Sequence, residues 1–386
     1  MKKVLFISSL YPSEINPQYC IFIEQQAQAL KKKGLDVSIL IPVPVNKKEH
    51  QSDIHFFEQN GLQCYKFNYY CRNVDKVFGI LHKKDQDTLS AFLSKNRFEI
   101  LSAHIIDLAI LKELVRNKNK SKLVVHFHGL NVWNNYYPIR PLIEKFQSYV
   151  LEKYLKRADT IVGVSDKVIS IVRERVKNIP LKVVYNGADP QIFMQGANDE
   201  RIINDDYTIL SVGNLTKIKG QKYLIKGFYE FIEKNNLSQN VRLDIVGEGP
   251  EMENLKNLTN NLGIEKYVHF YGNIHYKIVA EMMSRSSVFI LPSFFEALGC
   301  VYLESMLSGM PTVACSNGGI SEIIEHNKNG YLVQPKNSEA IGNVLTEVYN
   351  NRQKSRIIAE NGKNLIMNKY TWSNSADSLI DVYKSL

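Results

Sequence analysis

Two glutamates eight residues apart, Glu296 and Glu304, bracket a glycine at the start of a short helix-forming run. The run before them, Val288 to Leu291, is apolar and reads as a buried strand. Pro292 and Ser293 break that strand, and a helix is expected to open near Gly299 and stop at Gly309. The first turn of a helix has unpaired N–H groups and a partial positive charge, which suit a phosphate. Gly299 lets a ligand approach the backbone closely. Carboxylates accept hydrogen bonds from sugar hydroxyls, and eight helical positions span about 12 Å. The pattern fits a molecule with a phosphate in its middle and hydroxyls at both ends. It fits equally a strand, a loop and a helix carrying two solvated glutamates.

Other chemistry-bearing residues stand at the ends of predicted strands. Thr208 to Val212 reads as a strand, followed by a loop from Gly213 and Asn214 to Lys219 and Gly220. A lysine in a glycine-containing loop suits a diphosphate as a point charge, although plain loop chemistry accounts for such a pair as readily. Ile100 to His104 and Leu123 to His128 read as strands ending in histidine, and ligands of open α/β sheets lie beyond the carboxyl ends of strands. His126 and His128 share one strand face. No third ligand has suitable spacing for a metal, so hydrogen-bonded edge residues are expected there. Asp85-Gln86-Asp87 follows two lysines and reads as the solvated face of a helix. No metal site is expected.

The elements that would position these residues alternate strand and helix. Val4 to Ile7, a helix from Ile21 to Lys33 and Val37 to Ile41 make a βαβ opening. The first loop, Ser8 to Tyr19, contains no glycine, so the dinucleotide fingerprint is absent, which counts strongly against an NAD-dependent oxidoreductase. Residues 46–75 are polar, aromatic-rich and poorly patterned, with a short strand at Gln63 to Phe67. The expected domains are 1–190, a linker over 191–206, 207–369, and a C-terminal helix over 370–386. The chain has 386 residues, 44% apolar and 23% charged, which predicts about two globular domains. Its formal charge of +9 suits an anionic membrane or a phosphorylated ligand. No nucleic-acid-binding module is seen. The five cysteines contain no C-x-x-C, which points to a reduced, cytoplasmic compartment. The N-terminal apolar run is too short for a signal peptide, and no run approaches the roughly 18 residues that span a bilayer. Any membrane association is expected to be peripheral.

Glu296 and Glu304 lie within S-x-x-E-A-L-G-C-x-x-L-E-S-M-x-S-G-x-P, which resembles the signature of the retaining glycosyltransferases of family four. The resemblance covers nearly the whole chain. It implies the GT-B fold: two Rossmann-like α/β domains with parallel sheets facing a central cleft, and a last helix crossing back to the first domain. In that family the first glutamate holds donor-sugar hydroxyls, the amides after it hold sugar and phosphate, and the second glutamate holds the ribose. These correspond to Glu296, to Leu298, Gly299 and Cys300, and to Glu304. The family usually has an aromatic residue where Leu298 stands. An Arg or Asn and then a Lys face its donor diphosphate, matched by Asn214 and Lys219, with Lys217 as a further charge. His128-Gly129 is similar to the family's H-G, whose histidine lies near the reacting sugar, with His104 and His126 behind it. Asn186-Gly187-x-Asp189 followed by Phe193, and Asn317 to Glu322, resemble its N-G-x-D and G-G-x-x-E segments. The opening, Tyr11-Pro12 with Phe22 to Leu30, is similar too, except that the family commonly has glycine where Cys20 stands.

The resemblance implies transfer of a sugar with retention of configuration, from a UDP-sugar or alternatively a GDP-sugar. The acceptor would be a glycan or lipid-linked molecule of cell-surface polysaccharide synthesis. No metal or cofactor would be needed, and His128, Glu296 and Lys219 would carry the chemistry. Basic residues of the first domain, including Lys31 to Lys33, Arg116, Lys118, Lys120, Lys122, Lys153, Lys156 and Arg157, could meet an anionic membrane surface on its cytoplasmic side or form solvated helix faces. Two other classes use the same residues: an epimerase that converts the sugar on its nucleotide, and a non-catalytic sugar-binding scaffold.

Overall fold

Short apolar runs alternating with one-sided helices favour parallel sheets covered on both faces. The computed structural model describes the chain except residues 1, 15, 17, 49, 73, 74, 76, 77, 130–141, 195–206, 238 and 239, and the side chains of 142–144. The chain divides into two units, Met1–Tyr185 with Trp372–Leu386, and Asn186–Thr371.

The first unit begins β1 (Lys3–Ile7), α1 (Ile21–Lys32), β2 (Asp36–Val45), β3 (Asp53–Gln59), β4 (Leu62–Tyr70) and α2 (Lys83–Asn96). It continues β5 (Ile100–Ala103), α3 (Leu108–Asn117), β6 (Lys122–Phe127), α4 (Leu142–Leu155), β7 (Thr160–Gly163), α5 (Asp166–Arg175) and β8 (Leu181–Val183). The strands lie in the order β3-β4-β2-β1-β5-β6-β7-β8. All pairs are parallel except β3 with β4, which are antiparallel. Residues 53–59 and 62–70 are therefore two full strands, more than the short one expected at 63–67. Asn60 and Gly61 have φ of 49° and 76° and join β3 to β4 as a two-residue hairpin, the turn that Asn-Gly favours. An edge strand exposes much of its length, which is why its hydrophobic pattern is weak; Phe56 is 56% exposed.

The second unit holds α6 (Pro190–Phe193), β9 (Tyr207–Val212), α7 (Gln221–Lys234), β10 (Val241–Val246), α8 (Met252–Asn261), β11 (Val268–Gly272) and α9 (Tyr276–Arg285). Then come β12 (Val288–Leu291), α10 (Cys300–Leu307), β13 (Thr312–Cys315), β14 (Tyr331–Val333), α11 (Ser338–Asn350) and α12 (Arg352–Lys369). Its sheet runs β11-β10-β9-β12-β13-β14, parallel throughout. Phe228, Phe231, Leu243 and Ile290 are among its fully buried core.

The last helix, α13 (Trp372–Lys384), belongs to the first unit. Trp372, Ala376, Leu379 and Tyr383 fall at helical spacing and are buried with Ile23, Ala27 and Leu30 of α1. Gln26 Nε2 donates to Ser375 Oγ at 3.1 Å, and Lys33 pairs with Asp377 at 2.7 Å. The division of units falls after Tyr185 rather than at 190. Asn186 to Asp189 therefore sits in the second unit, where Asp189 caps α6 by accepting from Gln191 N at 2.9 Å. Most of the expected linker, 195–206, lies outside the described residues. No helix among the described residues is long and apolar enough to cross a membrane.

Candidate active site

In the second sheet the chain leaves β9 toward β10 and β11, then returns to β12 on β9's other side. The loops after β9 and β12 therefore diverge, and ligands of open α/β sheets bind at such a crevice. Each loop supplies one charged residue. Lys219 Nζ and Glu296 Oε2 meet at 2.5 Å, with side chains 21% and 18% exposed. Ser293 Oγ donates to the same carboxylate oxygen at 3.2 Å.

Backbone contacts hold the two loops together. Phe294 N donates to Ile218 O at 2.7 Å. Gly220 has φ +77°, and a Cβ there would lie 2.2 Å from Pro292 O. The glycine beside Lys219 is thus demanded by the approach of the next loop. A third loop closes the set: Gly319 N donates to Glu296 O at 2.8 Å, and Asn317 Nδ2 donates to Phe294 O. Asn214 is exposed at the start of the β9 loop, its carbonyl accepting from Thr216 N and Gln221 Nε2. Among the described residues no hydrogen bond or ion pair joins it to Lys219 or Glu296.

Helix α10 opens after Gly299, whose φ is +83°, and no side chain caps it. A Cβ at Gly299 would come within 2.7 Å of the Tyr302 ring and 2.8 Å of Glu296 Cγ. Leu298, where the family usually has an aromatic residue, is 1% exposed. Cys300 Sγ accepts from Asn186 Nδ2 at 3.3 Å, and burial, then Glu304, pushes its thiol up to about 12. It is no nucleophile at neutral pH. Glu304 is not solvated: it is 8% exposed, and its Oε1 accepts from Tyr276 O–H of α9 at 3.3 Å. Burial raises this carboxyl to about 7 against the weaker opposing effect of the Tyr276 hydrogen bond. Sequence reading missed Tyr276, for which no local motif exists.

The histidines form a separate cluster in the first unit. β5 and β6 are parallel neighbours, so His104 comes beside His126 although α3 separates them in sequence. All three ring sets, His104, His126 and His128, bring nitrogens within 4.8 Å of one another. Spacing alone had offered no third histidine partner. His104 Nδ1 meets His128 Nε2 at 2.9 Å, and Ser102 Oγ meets His126 Nε2 at 2.8 Å. Burial depresses all three, His128 to about 3 and the others well below the usual range. Asp85 also differs from expectation. It is fully buried, accepting from Tyr70 N at 3.1 Å and paired with His50 at 2.7 Å, whereas Asp87 is exposed beside Lys83. At position 20 the cysteine adopts φ 53°, ψ 34°, the left-handed conformation that glycine takes most easily.

Two family models match adjoining parts of the chain: Glycosyltransferase Family 4 over residues 21–192, and Glycosyl transferases group 1 over residues 196–365. The chain is 27% identical to an uncharacterized glycosyltransferase of Methanocaldococcus jannaschii, covering 99% of this chain and 98% of that one. It is 24% identical to the UDP-Gal:alpha-D-GlcNAc-diphosphoundecaprenol alpha-1,3-galactosyltransferase of Escherichia coli, over 81% of each. Among solved structures, Anabaena HepE in complex with UDP and glucose superposes with a TM-score of 0.76 at 18% identity, over 100% of both chains. Sucrose-phosphate synthase from Thermosynechococcus elongatus gives 0.79 at 18% identity, over 100% of this chain and 99% of that one. Two Rossmann-like units with parallel sheets, both family models and these relatives agree: the chain is a glycosyltransferase of the family-four type, built on the GT-B fold.

Proposed function

We propose that this glycosyltransferase moves a sugar from a nucleotide-sugar, a UDP-sugar by preference, to a glycan or lipid-linked acceptor of a surface polysaccharide, retaining the anomeric configuration. The observation that carries the donor assignment is the Lys219–Glu296 pair, held across the two strand ends of the switch point. Without donor, each charge neutralises the other. With donor bound, Lys219 turns to the diphosphate and Glu296 is freed to accept from sugar hydroxyls. The amides of Leu298, Gly299 and Cys300, at the uncapped start of α10, meet the phosphate and sugar. Glu304 accepts from the ribose. Asn214, on the Lys219 loop, adds a donor to the diphosphate.

As the anomeric bond breaks, negative charge collects on the leaving diphosphate. Lys219 and the α10 N-terminus offer fixed positive charge there, so the reaction proceeds without a metal ion. The sugar becomes cation-like, and its alignment by Glu296 matters more than a protein nucleophile. Support for a UDP-sugar comes from the names of the relatives: the E. coli enzyme is a UDP-Gal galactosyltransferase, and HepE was solved with UDP and glucose. Lys219→Ala should lower turnover by about 100- to 1,000-fold with an unchanged fold. Activity that survives in this variant would remove the site assignment, and UDP-sugar interconversion without an acceptor would favour an epimerase.

A lipid-linked acceptor requires a membrane-facing surface. Five of the basic residues singled out above are engaged within the protein: Lys31 with the Gly61 carbonyl, Lys33 with Asp377, Arg116 with Glu113, and Lys118 and Lys122 with Asp159. The stronger candidate is an aromatic patch on the same unit. Phe78 and Phe146 are 45% and 43% exposed and 5.6 Å apart, and Lys112 Nζ donates to Phe78 O. We infer that these rings enter the interface of an anionic leaflet, with Lys112 beside them.

A further inference from the structure

His104, His126 and His128 share one buried hydrogen-bonded cluster with Ser102 and Tyr383 in the first unit. Tyr383 O–H donates to Ser102 Oγ at 2.9 Å. Ser102 Oγ also meets His126 Nε2 at 2.8 Å and His104 Nε2 at 3.2 Å. His104 Nδ1 meets His128 Nε2 at 2.9 Å. His128 Nδ1 is closed to solvent and, among the described residues, has no partner.

Burial keeps the three imidazoles neutral, so each ring carries one N–H. Ser102 has a single hydrogen and already accepts from Tyr383. It must donate to one histidine and accept from the other. Hydroxyl donors make shorter bonds than N–H donors. The 2.8 Å contact therefore fits Ser102 O–H donating to His126 Nε2, and the 3.2 Å contact fits His104 Nε2–H donating to Ser102 Oγ. The rest follows by counting protons. His104 has its proton on Nε2, so its Nδ1 accepts. The proton in the bond between His104 and His128 then belongs to His128 Nε2. His128 Nδ1 is left as a bare lone pair.

The same nitrogens could be read as a metal cage, but the ring geometry opposes it. His104 and His126 stack at 4.1 Å with planes 12° apart. Ring lone pairs lie in the ring plane, so those of two stacked rings run side by side and do not converge on one ion. The 2.9 Å between His104 Nδ1 and His128 Nε2 is also shorter than the roughly 3.3 Å that separates two nitrogens around a tetrahedral zinc.

We propose that Tyr383, Ser102 and His104 are positioning residues that lock His128 in the tautomer whose Nδ1 is the acceptor, and that sugar transfer depends on that tautomer. The second half rests on the glycosyltransferase reading; the tautomer does not. The last helix thereby acts on a histidine more than 250 positions away in sequence, through the Tyr383–Ser102 hydrogen bond.

The test is nitrogen NMR on the full chain labelled with ¹⁵N-histidine. In wild type His128 should carry its proton on Nε2 alone, and His104 likewise. Ser102→Ala should leave His128 in both tautomers and lower kcat about tenfold, the worth of one hydrogen bond to a neutral group, with the donor KM nearly unchanged. Ser102→Thr, which keeps the hydroxyl, should restore both readouts. Tyr383→Phe keeps the packing and should give a smaller form of the same change, which decides the matter if Ser102→Ala does not fold. A proton on His128 Nδ1 in wild type would overturn the proposal. So would a single tautomer with full kcat in Ser102→Ala, or movement of all three histidine signals on addition of zinc. The correct tautomer in a protein that transfers no sugar would fault the proposed function and leave the relay standing.

Discussion

Replacing Glu304 by Gln should make the protein's stability less sensitive to pH. Glu304 is 8% exposed, and the Tyr276 hydroxyl at 3.3 Å offers it a single weak donor. Burial lifts its carboxyl from the ordinary range to about 7. Between the unfolded carboxylate's pKa near 4.5 and the folded one near 7, the native chain holds a proton that the unfolded chain has lost. Stability is therefore fully present below about 4.5 and falls as pH rises through 7. At about 1.4 kcal/mol per pH unit, the loss reaches about 3 kcal/mol by pH 8. Glu304→Gln resembles the protonated form at every pH and escapes this loss. One kcal/mol moves the melting temperature of a unit of this size by about 2–4 °C. Thermal melts without nucleotide should find the two proteins close together at pH 5, and the variant about 6–12 °C higher at pH 8. Parallel curves from pH 5 to pH 8 would refute the reasoning, because they would mean that the buried carboxyl ionises as freely as an exposed one.

Other perturbations follow from the same geometry. Gly220→Ala should cost about 3 kcal/mol in urea unfolding, combining a left-handed φ with a clash on Pro292 O. Gly263→Ala, at φ +68° with open space around it, should cost only about 1 kcal/mol. Equal costs would show that the loop approach at Gly220 is not tight. Phe78→Glu should abolish cosedimentation with phosphatidylglycerol vesicles while leaving transfer to a water-soluble acceptor intact; unchanged binding would clear the aromatic patch. Chelation with EDTA should leave turnover unaltered, and a loss restored by magnesium would refute the metal-independent reading.

What could be read from the chain alone was local. The glycines at 220 and 299, the strand before each, and the helix after Gly299 depend on neighbours a few residues away, and those elements stand where the sequence puts them. Glu296 and Lys219 could be singled out, yet their pairing could not, since sheet order brings together residues 77 positions apart. Tyr276 reaches Glu304 from another helix, and His104 reaches His128 from a neighbouring strand, so no spacing rule connects them. Asp85 looked solvated because its helix surface is rich in lysine, but the end of β4 and His50 cover it. The Asn60-Gly61 hairpin carried its signal in plain view, and the polar, aromatic-rich surroundings obscured it.

The central claim is that the Lys219–Glu296 pair marks the seat of a nucleotide-sugar diphosphate. Its most direct test is the melting temperature of wild type and Lys219→Ala with UDP, GDP, ADP and CMP, each with and without magnesium. The account predicts that one nucleoside diphosphate, UDP first among them, raises the melting temperature of wild type equally with and without magnesium, and that Lys219→Ala loses the shift. A shift of the same size in Lys219→Ala, or no shift with any of the four, would contradict it.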